Sequence, residues 1–213
     1  MNTLEKNTLK LSGVAHTGGG IYENVKIEGV ANINGDIECS NMDVQGVSSF
    51  SGNVACTKLH IEGSCKVSGG IKADSCKLAG LLNAGGDLEA ESFTGSGSFQ
   101  IAGALNAEDI DVSFVYGSSA NEVCGQDIRI RKESHNGATE FIMDLIPWRH
   151  KGKSFRCNLI EGDRIDIEFV KAGTVRGKHV KIGPECKIEL VEYHEEITIH
   201  PSAMVGKTVK LGE

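Results

Sequence analysis

The chain has 213 residues, of which 27 are glycine and only 5% aromatic, and it carries a net charge of −7. That acidic balance argues against a basic stripe for nucleic acid, and no run of about 18 apolar residues reads as a membrane span. The opening MNTLEKNTLK has no apolar leader core, so a cytoplasmic location is expected, in contact at most with the inner face of the cell membrane.

Beyond a short N-terminal tail (residues 1–12), glycine recurs at a constant step at Gly18, Gly35, Gly52, Gly69, Gly86 and Gly103. A second register runs in step at Gly29, Gly46, Gly63, Gly80 and Gly97. A fixed period of about 17 residues means one supersecondary unit stacked on itself. Between the glycines, apolar or small residues come in pairs two apart. Ile37/Cys39, Met42/Val44 and Ser48/Phe50 in one period become Val54/Cys56, Leu59/Ile61 and Cys65/Val67 in the next. Spacing of two is strand parity, and the i+3 and i+4 partners that a helix needs are mostly polar or glycine. Three short strands per period, joined by corners, describe a triangular coil. The fold class is therefore all-β: a parallel β-helix, or solenoid, of about 17 residues per coil. Each buried apolar residue contributes about 1 kcal/mol or more before entropy is charged. The corner glycines are expected to supply positive φ at the repeated bends.

The main repeat block covers residues 13–131, and its phase breaks once. Phe114 stands where the second glycine ladder should continue, and Ala120 replaces the next glycine of the first. Tyr116 is expected beneath Phe99, and Ile128 with Ile130 forms a strand pair one residue late. A second block, residues 156–213, stacks regularly again: Val180 and Ile182 repeat as Ile197 and Ile199, Pro184 as Pro201, and Ile188 as Val205. Gly103 to Gly173 is four periods plus two residues, so one coil can run through the break if a segment at 132–155 loops out. Undecorated loops of that length are uncommon in compact domains, and this one reads as functional or disordered. It holds Phe141, Ile142, Leu145, Ile146 and Trp148, followed by Arg149, Lys151 and Lys153. An apolar run with an aromatic edge and a basic flank has the composition of an interfacial membrane contact. The competing readings are a hairpin packed on the coil side and a loop that docks a protein partner.

Three stretches also carry a family likeness: VKIEGVANINGDIE (residues 25–38), AGALNAEDIDV (102–112) and VRGKHVKIGPECKIELVEY (175–193). They resemble the bactofilins, polymer-forming bacterial cytoskeletal proteins, in the longer members that add a second repeat block. The resemblance implies a right-handed β-helix that polymerises end to end without nucleotide, often on the inner membrane face, by itself or with a paralogue. It further implies a scaffold serving cell shape, motility and flagellar assembly, or envelope assembly. Shorter members carry one uninterrupted block, from which this chain departs.

Candidate sites follow from the coil. The terminal coils present unpaired strand edges over an open apolar core, which makes Leu9, Leu11 and Val14 at one end, and Val205, Val209 and Leu211 at the other, candidates for a polymer interface. Neither a metal nor a cofactor is expected. His179, Cys186, His194 and His200 crowd the last block, but the repeat register stacks His179 on Glu196 and His200 on Gly183, so no ladder of zinc ligands forms. Asp109 with Asp111, and Asp163 with Asp166, read as outward and solvated. No P-loop, G-x-S-x-G or H-E-x-x-H motif is present. A non-catalytic scaffold is the leading reading. One alternative is a monomeric or small-oligomer adaptor acting through its loop. Another is a hexapeptide-type acyltransferase, suggested by KIGPECKIEL but needing a coil of about 18 residues, three hexapeptides long. The seven cysteines read as free thiols. Cys39 and Cys56, which share a position in successive coils, lie within reach of a bridge, though buried small thiols are the preferred reading.

Overall fold

The structure, a computed structural model, describes residues 8–133 and 153–212. Among these residues every element is a strand, every strand pairing is parallel, and all fifteen strands belong to one sheet. The first block opens with β1 (Thr8–Leu11), β2 (Val14–Ile21), β3 (Asn24–Ile27) and β4 (Val30–Val44). It continues through β5 (Val47–Phe50), β6 (Val54–Ile61), β7 (Ser64–Val67), β8 (Ile71–Leu78) and β9 (Leu81–Ala84) to the long β10 (Leu88–Phe114). The second part comprises β11 (Ser119–Lys132), β12 (Phe155–Ile167), β13 (Val170–Ile182), β14 (Lys187–Ile199) and β15 (Met204–Lys210).

One column of side chains shows the architecture. Leu11, Ile27, Val44, Ile61, Leu78 and Gly95 lie one above another in the first block. Val112 at the end of β10, and then Ile130, Ile167, Ile182 and Ile199 of the second part, continue the same position. The whole is a β-solenoid of about 11 turns. Each regular turn makes three paired stretches, as at 47–50, 54–56 and 58–61. Alternate residues of each stretch point inward, so Ile37, Val54, Ile71, Leu88 and Leu105 are all buried, as are Met42, Leu59, Cys76, Phe93 and Ile110. Period-2 parity thus becomes a single core running the length of the stack. The stack is already under way at β1, inside the stretch read as a tail, because Thr8–Leu11 pairs with Asn24–Ile27.

The glycine ladders have a different cause from the one expected. Within these two ladders positive φ occurs only at Gly35 (φ 97). What the second ladder requires is room. A Cβ on Gly46, Gly63, Gly80 or Gly97 would overlap the carbonyl oxygen of the ladder glycine one turn earlier. In the first ladder, a Cβ on Gly52, Gly69 or Gly103 would overlap the side-chain oxygen of Asp36, Asn53 or Asp87 in the preceding turn. Those oxygens satisfy the next backbone N–H of the turn beside them: Asp36 Oδ1 accepts from Asn53 N (2.6 Å), Asn53 Oδ1 from Gly70 N (2.8 Å), and Asp87 Oδ1 from Ala104 N (2.7 Å). Corner amides that the sheet leaves unpaired are satisfied in this way.

The phase break is also resolved differently. Gln100 pairs with Ser119 and Ile101 with Ala120, a step of 19 that settles to 18 from Ala104↔Glu122 onward. Ser118, not Tyr116, lies beneath Phe99. Its buried hydroxyl accepts from Phe99 N (3.1 Å) and donates to the Tyr116 carbonyl (3.2 Å). Ala120 takes the core column of Ile101 rather than a glycine corner, and Phe114 is fully buried instead of continuing the glycine ladder. Aromatic rings fill the seam: Phe99 packs 5.2 Å from Phe93 and 5.7 Å from Phe155, and Phe155 packs 6.5 Å from Phe114.

Past the seam the fixed period fails. Val123 pairs with Ile160, a separation of 37 that contains the excursion, and Ile160 pairs with Val175, a step of only 15. Three turns therefore run from Leu105 to Val175, where four periods and a slip were expected. The short turn uses tight corners at Phe169 (φ 55) and Glu185 (φ 57), an uncommon backbone state for non-glycine residues. The Phe169 corner is held by hydrogen bonds from its N–H to the Pro184 carbonyl (2.9 Å) and from Phe155 N–H to its own carbonyl (3.0 Å), with Lys132 Nζ 5.0 Å from its ring centre. Regular stacking returns at the far end as read: Val180 on Ile197, Ile182 on Ile199 and Ile188 on Val205.

Candidate functional site

Two kinds of surface stand out, the terminal turns and the sides of the second block. Among the described residues, β1 and β15 close the strand order, and each has one partner strand, β3 and β14. Leu9 and Leu11 stack on Val25 and Ile27 and pack half-buried against the core. At the opposite end Val205 stacks on Ile188 and is likewise half-buried, beside Tyr193, Ile197 and Ala203. Leu211 N–H donates to the Tyr193 carbonyl (2.8 Å), which carries the chain along the last rung.

The remaining candidates do not sit over the core. Val14 points outward and is 75% exposed, at the head of an outer column with Val30 and Val47. Val209 lies under Glu192 and Arg176, again an outer column, while the position beneath the core residue Val191 is Thr208. Phe141, Ile142, Leu145, Ile146, Trp148, Arg149 and Lys151 lie outside the described residues. Lys153 is exposed shortly before β12.

Of the four acids read as outward and solvated, Asp111, Asp163 and Asp166 pair along the stack. Asp111 accepts from Arg129 (2.9 Å), and Asp166 meets Lys181 at 3.2 Å and Arg131 at 3.5 Å. Asp127 makes a two-pronged pair with Arg164. Arg176 reaches Glu192 at 2.7 Å and Glu161 at 3.1 Å, and Lys178 meets Asp163 at 2.9 Å. Each of these joins one turn to the next. The Arg164 guanidinium holds the Asp127 carboxyl below its ordinary value, and Glu192 raises the Arg176 guanidinium above its own. A groove of about 580 Å³ runs along this side, and its three lining cations, Arg129, Arg164 and Lys181, are all engaged with acids of neighbouring turns.

Sequence reading missed these ladders because their members stand 18, 37 and 15 positions apart. The signal was a motif rather than a period. Val123-Cys124-Gly125, Ile160-Glu161-Gly162 and Val175-Arg176-Gly177 each begin a rung of the form Φ-x-G-x-x-Φ-x-Φ, where Φ is aliphatic. The histidines stay apart from one another: His179 stacks on Glu196 and meets Glu195 at 3.3 Å, and His200 pairs with the Ser202 hydroxyl at 3.0 Å. Among the described residues no three His, Cys, Asp or Glu side chains converge on a metal-sized space, and no helix is long and apolar enough to cross a membrane.

Stacked parallel turns, a through-running core and strand edges at both ends of the described stack define a β-solenoid repeat protein. Residues 4–92 match the family model described as "Bactofilin: Polymer-forming cytoskeletal". Two curated relatives from Bacillus subtilis (strain 168) are similar over shorter stretches, and both are described as uncharacterized. YhbE is 55% identical over 53 residues, 25% of this chain, and YhbF 41% identical over 63 residues, 30% of this chain. The matched segments span 22% and 26% of the lengths of those relatives. No solved structure matches.

Proposed function

We propose that the protein is a non-catalytic scaffold that associates with itself end to end, turn on turn, without nucleotide. The observation that carries this reading is the pair of terminal rungs. Leu9 and Leu11 at one end, and Val205 at the other, are half-covered against the core beside strands that have a single partner among the described residues. A second solenoid end supplies both the missing backbone pairing and the missing apolar cover. The match of residues 4–92 to a family model described as polymer-forming supports the same reading. The service we assign to such a polymer is cell shape, motility and flagellar assembly, or envelope assembly, at the cytoplasmic face of the membrane, with a paralogue as a candidate co-polymer.

The segment between β11 and β12 is proposed as the recruiting element. Its apolar residues and basic flank suit a membrane surface or a protein partner, and only its composition supports this. Sedimentation of purified protein tests the terminal rungs: Leu11→Arg and Leu211→Arg should move pelleted wild-type material to the supernatant. If both variants pellet as the wild type does, the end-to-end joint is wrong. Liposome flotation of wild type against a Leu145/Ile146/Trp148 triple serine variant tests the segment, and absence of flotation in both removes the membrane contact.

A further inference from the structure

Cys39 and Cys56 are direct register partners in the adjoining parallel strands β4 and β6, and both are free thiols. Strand spacing of about 4.8 Å puts their Cα atoms inside the span that a disulfide tolerates. They also occupy the last rung of their stretch. Pairing skips Ser40 and Thr57 and resumes at Asn41↔Lys58, so the two cysteines stand at a corner where the backbone is least constrained by the next rung. Cys39 is buried and Cys56 partly exposed, which gives the pair an opening to solvent. The column continues with Ala73, so no third thiol competes in line.

The other five cysteines have no such partner in their columns. Burial pushes Cys65 up to about 11, Cys157 up to about 12 and Cys186 up to about 11, and raises Cys76 and Cys124 as well. Cys39 alone is held below the ordinary thiol value, by the Cys56 thiol beside it, while Cys56 is raised in turn.

We infer that the Cys39–Cys56 dithiol is a site of reversible oxidation whose co-reactant is a small-molecule disulfide. One sulfur of the pair, as thiolate, attacks a sulfur of the small disulfide; a mixed disulfide forms, the small S–S bond breaks, and one small thiolate leaves. The second protein sulfur then attacks the first, forming the Cys39–Cys56 bond and releasing the other small thiolate. The two thiol protons end on the two released thiolates, and two electrons pass from the protein to the small disulfide. The bridge ties one turn covalently to the next. Cβ atoms stacked at the strand spacing of about 4.8 Å stand slightly beyond the usual disulfide range of about 3.5–4.5 Å. Closing the bridge therefore draws the two turns together locally, and a strained bond of this kind is the more readily reduced again.

The experiment treats the folded full chain with oxidised glutathione, blocks remaining thiols with N-ethylmaleimide, and measures intact mass and mapped peptides. The expected result is loss of two of the seven free thiols, a mass about 2 Da lower before blocking, a Cys39–Cys56 linked peptide, and full reversal by dithiothreitol. Cys56→Ala, the residue this column carries in the next turn, and Cys39→Ala should each abolish the linked peptide while keeping the wild-type circular dichroism spectrum. Three results overturn the inference: all seven thiols staying free in the folded protein, stable glutathione adducts without a linked peptide, or a linkage that forms only after unfolding in urea.

Discussion

In the first block neighbouring turns meet through like residues: Asn24 beside Asn41 (3.0 Å), Ser75 beside Ser92 (3.3 Å), Cys39 beside Cys56, and glycine against glycine at the corners. From the β10–β11 step onward they meet through unlike charges, Asp111–Arg129, Asp127–Arg164, Asp166–Lys181 and Glu161–Arg176–Glu192. From β3 onward identity ladders tie the first block to one turn length, 17 residues from Val25↔Met42 through each step to β10, because a residue more or less would set side chains against the glycine corners. The opening turn is shorter, 16 residues at Leu11↔Ile27 and Val14↔Val30. Charge ladders fix register by partner, so steps of 15, 16 and 17 between successive turns coexist there. The aromatic seam of Phe93, Phe99, Phe114 and Phe155 lets one arrangement pass into the other without interrupting the core.

The sharpest way to break this comparison is to open the seam. Phe155→Ala should cost about 3–5 kcal/mol and split a single urea transition into two, one for each block. A single, barely shifted transition would mean that the seam joins nothing. Next in size, Gly63→Val forces a side chain into the Gly46 carbonyl and should cost about 3 kcal/mol or more. Gly18→Ala, with open space around its Cβ, should change the melting temperature by an amount corresponding to no more than about 0.5 kcal/mol. Equal effects at the two glycines would remove the close-approach account.

Smaller still, Asp36→Ala removes the acceptor of the Asn53 N–H and Nδ2 hydrogen bonds and should cost about 1 kcal/mol by urea denaturation. The mildest test is acid. The folded Asp127 carboxyl titrates below its unfolded value, so its contribution is complete above about pH 4 and is lost as pH falls through the lower, folded value. In the first block, by contrast, the cross-turn pair Lys72–Glu89 at 3.4 Å has both ends more than half exposed. Hydrogen exchange at pH 3 against pH 6 should therefore show protection falling first in β11 to β13. Loss that is uniform along the stack would contradict the ionic account.

The core of the first block was legible because stacking copies each inward position onto its neighbour, so Ile37 announces Val54 and Ile71. The same logic placed Val180 on Ile197. It failed where turn length varies. Ser118 lies beneath Phe99 because two residues are added at that corner, which no fixed period can show. The glycine ladders were seen but misassigned, since φ is a property of one residue whereas these glycines answer to a carbonyl or carboxylate in the turn before. Of the candidate joint residues, Leu9, Leu11 and Val205 pack half-covered against the core on terminal rungs, and Leu211 lies at the end of the last rung. Val14 and Val209 fall on outer columns, because strand parity places each of them one residue out of phase with the core.

Electron microscopy of the purified, nucleotide-free protein tests the central claim most directly. About 11 turns at a rise of about 4.8 Å each give a subunit length of roughly 53 Å. Filaments one solenoid wide, with an axial repeat of that length or twice it, are the expected result. Single rods at every concentration, or filaments whose repeat corresponds to the width of the coil instead of its length, would contradict a turn-on-turn joint.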